Sequence, residues 1–383
     1  MTRPEGQEPS SSPAQAGRSR RPAGLAGMLV LVAAVELAIG GRHLAYTSLA
    51  VDDWRQTAAA ARTRAPGRDV LCFGDSLVKY GVLPRVIERQ AGLSCYNLAL
   101  NAGPMPAEYF LLRRALAAGA RPRAIVADFF ALMLADRPMW STRAYPELAT
   151  WGECLDLAWT AGDGDFLAST WLGKVVPSVR CRFELRAAIA TFWDERSVAP
   201  APGNRLIRAL WDRQLGAQPM PAAPGQDTAN PGLVADLTPA TWACDPINAA
   251  YFERFVALAE AHRIPIFWIM PPLGPEIRAG RLARGTDAAY ARFARAALRR
   301  HPSLVVLDAR GAGYDASAHV DPIHLNDRGA AILSGDVAAA LGDHLGGRPG
   351  PDRWRDLPPV AGRSATDLPD AAVAGRGAAG ATR

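Results

Sequence analysis

The chain has 383 residues, about half of them apolar, and a formal net charge of +6. That length suits one large domain or two small ones with a substantial core. The positive charge is almost all arginine, scattered along the chain, with Lys79 and Lys174 the only lysines. No basic stripe or recognisable module accompanies it, which argues against a nucleic-acid partner.

Residues 1–21 are polar, with Arg18, Arg20 and Arg21 at the end, and read as a disordered cytoplasmic segment. Residues 22–41 follow as an apolar run with one charge, Glu36. A helix crossing a bilayer needs roughly 20 such residues. The basic flank belongs on the cytoplasmic side. The expectation is therefore a single-pass transmembrane anchor, with residue 43 onward extracytoplasmic. A cleaved signal peptide and a buried soluble helix are the alternatives; the former lacks a convincing cleavage site. Glu36 lies near the far end of the run, where a carboxylate costs least.

Residues 43–66 read as a helix ended by Pro66-Gly67. Val70-Leu71-Cys72-Phe73 reads as a buried strand that stops at Gly74. A helix at 82–90, a strand at 95–100, a helix at 106–118 and a strand at 124–130 continue the alternation. This rhythm predicts a parallel sheet with helices on both faces. Residues 135–248 break it and carry seven of the ten tryptophans. They read as a largely helical insertion, with helices at 181–193 and 204–214 and loops at 196–203 and 216–240. The tryptophans read as the core of that insertion, a substrate groove being the alternative. The rhythm returns with a helix at 249–262, a strand at 264–270, a helix at 287–300, a strand at 304–308 and a helix near 327–342. One domain, residues 43–345, is expected, followed by a Pro/Gly/Ala-rich disordered tail, 346–383. Of the five cysteines, Cys72 and Cys95 read as core residues. A disulfide among Cys154, Cys181 and Cys244 is left open. No zinc motif is present; His319 with His324 is too thin a metal signal.

Two short segments carry chemistry. Phe73-Gly74-Asp75-Ser76-Leu77 sits where a strand ends. Asp321-Pro322-Ile323-His324-Leu325-Asn326 follows the last expected strand. A serine hydroxyl attacks only when a neighbouring base takes its proton. Histidine can do this near neutral pH, and a carboxylate then fixes the imidazole tautomer. Asp321 precedes His324 by three residues, so one turn can point both to one place. In an open α/β sheet that place lies beyond the carboxyl ends of the strands. Taken singly, Ser76 or Asp75 could as well cap the following helix, and His324 could be a surface histidine.

Together the segments resemble the SGNH/GDSL hydrolase superfamily. Gly74-Asp75-Ser76 matches its first block, and Asp321-x-x-His324-Leu-Asn with Gly329 matches its last. The resemblance covers roughly residues 68–130 and 250–342. It implies a three-layer α/β/α flavodoxin-like fold with about five parallel strands. It implies Ser76 as nucleophile, with Asp321 and His324 as its relay. The oxyanion would be held by backbone N–H groups of Ser76 and of Ala102 or Gly103. Ala102 occupies the position where the family has glycine. The third block departs from the pattern: the strand end Val126-Ala127-Asp128-Phe129 lacks the family's asparagine, and one lost oxyanion donor costs about 3 kcal/mol. Asn101 is the nearest substitute in the chain, or else a turn residue. Asp128 caps a helix or orients the site. Arg328 reads as a surface arginine, with an anionic-substrate contact as the alternative.

The resemblance further implies a serine esterase or O-acyltransferase working through an acyl-enzyme, with no cofactor and no metal. The implied partners are the membrane, an O-acylated envelope glycan or other extracytoplasmic ester, and a membrane-bound acyl donor. The absence of a G-x-S-x-G elbow argues against an ordinary α/β-hydrolase. The rival reading is a non-catalytic glycan-binding or assembly factor on a degenerate scaffold of the same kind.

Overall fold

The computed structural model describes residues 21–41, 49–139, 142–183, 185–186, 189, 202–221, 231–348, 350 and 352–363. The expected cytoplasmic segment up to residue 20 lies outside the described residues. So do the start of the helix expected from residue 43, Trp140, Trp193, the 222–230 loop and the tail beyond 363.

Among the described residues six strands form one parallel sheet: β1 (Val70–Phe73), β2 (Cys95–Asn97), β3 (Ala124–Ala127), β4 (Ile266–Met270), β5 (Leu304–Asp308) and β6 (Trp354–Asp356). Their order is β2-β1-β3-β4-β5-β6. Val70 stands opposite both Cys95 and Ala124. Every residue of β1 to β5 is buried, as expected for parallel strands covered on both faces. Five strands were expected. The sixth lies inside the stretch read as a disordered tail. It is three residues long, Trp-Arg-Asp, and pairs with β5 through backbone register rather than any apolar pattern.

The helices follow in chain order. Helices α1 (Arg21–Gly41), α2 (Leu49–Thr63), α3 (Ser76–Gly81), α4 (Pro84–Ala91) and α5 (Met105–Ala117) precede β3. The stretch between β3 and β4 holds α6 (Ala131–Ala135), α7 (Tyr145–Leu148), α8 (Trp151–Ala161), α9 (Gly164–Val175), α10 (Pro177–Arg180), α11 (Pro202–Arg213), α12 (Pro231–Leu237) and α13 (Pro246–Ala261). Then come α14 (Pro275–Arg284), α15 (Thr286–Arg300) and α16 (Asp327–Leu345). The helix expected at 82–90 starts two residues later as α4, because Val82 and Leu83 are extended before Pro84 opens it.

The strand period of two sorts the core into two layers. Leu71, Phe73, Ile125, Ile266, Trp268 and Val306 face α2, α5, α13 and α15. Val70, Cys72, Val126, Phe267, Ile269 and Leu307 face α3, α4 and α16. On the first face Phe129 meets Phe252, Phe255 and Trp268 edge-on, with ring centroids 5.0, 5.4 and 5.2 Å apart. All five cysteines are free thiols, so the disulfide left open for Cys154, Cys181 and Cys244 is not formed.

Two tryptophans of the insertion face inward. Trp211 is buried, with the Lys79 ammonium over its ring. Trp242 Nε1 donates to the Ala131 carbonyl at 2.7 Å. Trp151, Trp159 and Trp171 instead face outward. Among the described residues no helix is long and apolar enough to cross a membrane. The helical backbone of α1 runs from Arg21 to Gly41, with side chains described from Gly24 to Gly40, so the span expected at 22–41 reaches past the described side chains at both ends. It meets α10 near its end, where Glu36 accepts hydrogen bonds from the Ser178 amide, at 2.9 Å, and the Ser178 hydroxyl.

Candidate active site

The sheet order reverses direction at β1 and β3, opening a crevice beyond their carboxyl ends. The chain leaves β1 through Gly74, at φ +135°. A Cβ there would lie 2.0 Å from Asp128 Oδ1, at the exit of β3. Glycine thus lets Asp128 close over the turn. Asp128 Oδ1 accepts the Asp75 amide at 3.2 Å, and Asp75 Oδ1 accepts the Leu77 amide at 2.7 Å, capping α3. Ser76 is the first residue of that helix.

Ser76 Oγ lies 2.8 Å from His324 Nε2. His324 Nδ1 lies 2.7 Å from Asp321 Oδ2. Asp321 Oδ1 accepts the amides of Ile323, at 2.9 Å, and His324, at 2.8 Å. Histidine and aspartate are therefore held by one tight turn, and the structure brings all three expected residues into line. The turn is braced from outside. Gly274 donates its amide to the Pro322 carbonyl at 2.8 Å, and a Cβ on Gly274 would lie 2.7 Å from that oxygen. Asn326 caps α16 through Gly329, at 3.1 Å, and donates to the Ser317 carbonyl at 2.8 Å. His319 is buried with Nδ1 on the Asp315 carbonyl at 2.9 Å, and burial lowers its pKa. Arg328 is exposed, within 3.3 Å of Ser317 Oγ.

Burial alone would raise the Asp321 carboxyl. The His324 hydrogen bond and charge, with the two turn amides, outweigh it and hold the group below its ordinary range. Beneath the nucleophile the balance is opposite. Asp75, Asp128 and Glu108 are all buried, and burial raises each of them. Asp128 is raised further by the charges of Asp75 and Glu108. For Asp75 the hydrogen bonds to Asp128 and from the Leu77 amide work against that rise. Among the described residues no set of three or more His, Cys, Asp or Glu side chains is arranged to hold a metal ion.

The expected oxyanion donors separate. Ala102, at the position where the resemblance has glycine, is left-handed, at φ +52°, a conformation that favours glycine. The amides of Ser76 and Ala102 have no acceptor among the described residues. The Gly103 amide is already given to the Leu100 carbonyl, at 3.2 Å. Gly103 is glycine for another reason: a Cβ would lie 2.8 Å from the Gly74 carbonyl. It lets the second turn press against the nucleophile turn. The Asn101 carboxamide is committed elsewhere. Its oxygen accepts the Tyr80 hydroxyl, and its nitrogen donates to Asp53 at 3.2 Å.

Tyr80 was not anticipated. Its ring meets the His324 imidazole edge-on, with centroids 4.9 Å apart. The signal was its spacing, four residues after Ser76 on one helix, which puts both on one face. Behind it, buried Lys79 pairs with Asp53 at 2.6 Å and donates to the Ala99 carbonyl at 3.0 Å. Asp53 also accepts the Asn101 amide at 2.8 Å. This network ties α2 and α3 to the turn that carries Ala102.

The arrangement can activate a serine oxygen, move its proton to an imidazole, and offer two backbone donors beside it. No protein-family model matches the chain, and no curated protein matches it significantly.

Proposed function

We propose that this chain is a serine esterase or O-acyltransferase of the SGNH/GDSL kind. Ser76 attacks an ester carbonyl while His324 takes the proton, and Asp321 stabilises the resulting imidazolium. The Ser76 and Ala102 amides hold the oxyanion. His324 returns the proton to the leaving alcohol, and water or an acceptor hydroxyl then releases the acyl group. The observation that carries this reading is the unbroken relay from Ser76 through His324 to Asp321, at 2.8 and 2.7 Å. The family resemblance, with α1 as a membrane anchor, favours O-acylated envelope glycans or other extracytoplasmic esters as substrates. A membrane-bound acyl donor is then the partner of a transferase.

The departure at the exit of β3 favours the rival, a non-catalytic glycan-binding or assembly factor, because Val126-Ala127-Asp128-Phe129 lacks the family's asparagine. Labelling of the full chain with a fluorophosphonate decides between them. The esterase reading expects labelling that disappears in Ser76→Ala and falls steeply in His324→Ala. A folded chain that never labels supports the rival. Acetate release or transfer from acetylated glycans then separates hydrolase from transferase.

A further inference from the structure

A helix that packs on a core needs one apolar stripe. Helix α8 has two. Cys154, Leu157 and Ala158 face the core, while Trp151, Leu155 and Trp159, spaced four apart, form a second stripe that faces outward. Helix α9 repeats this: Phe166 is buried, while Trp171, Leu172 and Val175 are exposed. Trp151 and Trp171 meet edge-on, with centroids 5.7 Å apart, which joins the two stripes. Lys174 stands over Trp151, and Arg143 and Arg182 stand over exposed Phe183.

The placement of these side chains is selective. Leu206 and Leu282 apart, every large apolar side chain exposed among the described residues is on α1 or in residues 151–189. The two groups are physically continuous. Helix α10 follows α9 directly and packs on α1, where Pro177 meets Gly40 and Ser178 binds Glu36. Glu36 lies five residues before the end of α1, about 8 Å along the axis. The insertion is thus fixed at the level where α1 ends. Tryptophan with flanking lysine and arginine is the composition found where a protein meets the boundary between acyl chains and headgroups.

We infer that the outward stripes of α8 and α9, with Phe183, form a second membrane contact that lies in the lipid interface beside α1. This rests on the reading of α1 as an anchor. Its role is to hold the domain in one orientation over the bilayer, which a single helix leaves free to swivel.

The test uses the full chain in phosphatidylcholine/phosphatidylglycerol vesicles with brominated acyl chains. Helix α1 contains no tryptophan, so tryptophan quenching reports the domain and not the anchor. Retention in the membrane after alkaline carbonate reports the anchor separately. The inference expects quenching of the full chain, with the larger part of it lost in a Trp151→Phe/Trp159→Phe/Trp171→Phe variant that keeps its circular dichroism and carbonate retention. Retention without quenching overturns the membrane contact and leaves the anchor standing. Quenching of a carbonate-extractable chain, lost in the variant, supports the contact and removes the anchor. Tryptophans that are unquenched in vesicles but shielded in native membranes assign the stripe to a protein partner and overturn the inference.

Discussion

The relay divides its labour between two carboxyl environments, and each leaves a pH signature. Asp321 has a folded pKa below its unfolded value. Its contribution to stability is present above about pH 4 and is lost as pH falls through the lower folded value. Asp128 and Glu108 are raised, chiefly by burial. Once pH climbs past about 4, the unfolded chain releases their protons before the folded chain does, so stability falls with rising pH. Asp128→Asn keeps the acceptor for the Asp75 amide and removes the titrating carboxyl. It is expected to flatten the decline of Tm as pH rises above about 4, without lowering fluorophosphonate labelling. A variant whose Tm follows the native slope would assign the decline to another group. Asp321→Asn leaves the turn but removes the charge and favours the wrong tautomer, so turnover should fall by about 10⁴-fold. Ser76, Asp321 and His324 were legible in the sequence because their spacing and neighbours form a pattern. Asp128 was not: its role depends on a missing Cβ at Gly74, 54 positions away in the chain (128 − 74) and visible only once the strands pair.

At the scale of elements, two turns decide whether the site forms. Gly74→Ala would drive a Cβ into Asp128 Oδ1, at a backbone angle that disfavours side chains. Loss of soluble folded protein is expected, read by circular dichroism. Ala102 is the milder case, since a non-glycine residue in the left-handed region costs about 1 kcal/mol. Ala102→Gly should therefore leave labelling intact and hold or raise Tm by a few degrees, whereas Ala102→Val should lower both. The strands β1, β4 and β5 could be read from their apolar runs, because burial on both faces leaves no polar alternation to confuse them. The edge strand β6 could not, since Trp354-Arg355-Asp356 is three residues long and, Trp354 apart, has no apolar side chain to mark it as a strand. Asn101 was equally opaque as a site residue: its carboxamide answers to Tyr80 and Asp53, which belong to two other helices.

Across the whole molecule, the aromatic cluster on the first face links the insertion boundary to the sheet. Phe255 is fully buried against Phe73 and Phe129, with centroids 5.4 Å away in each case. Phe255→Ala should cost about 3–5 kcal/mol, measured by denaturant unfolding. It touches none of the relay residues, so labelling of the remaining folded fraction should keep its native rate.

Ser76 and His324 are 248 residues apart in the chain. Each half of the reactive pair is inert until the other arrives, and closing so long a separation comes late in assembly. The growing chain thus carries its serine unarmed through synthesis, and reactivity switches on only when the native topology closes. The label then becomes a clock for folding. During refolding from denaturant, fluorophosphonate reactivity should appear with the slowest structural phase, well after helical signal returns, and at equilibrium it should vanish at the midpoint of global unfolding.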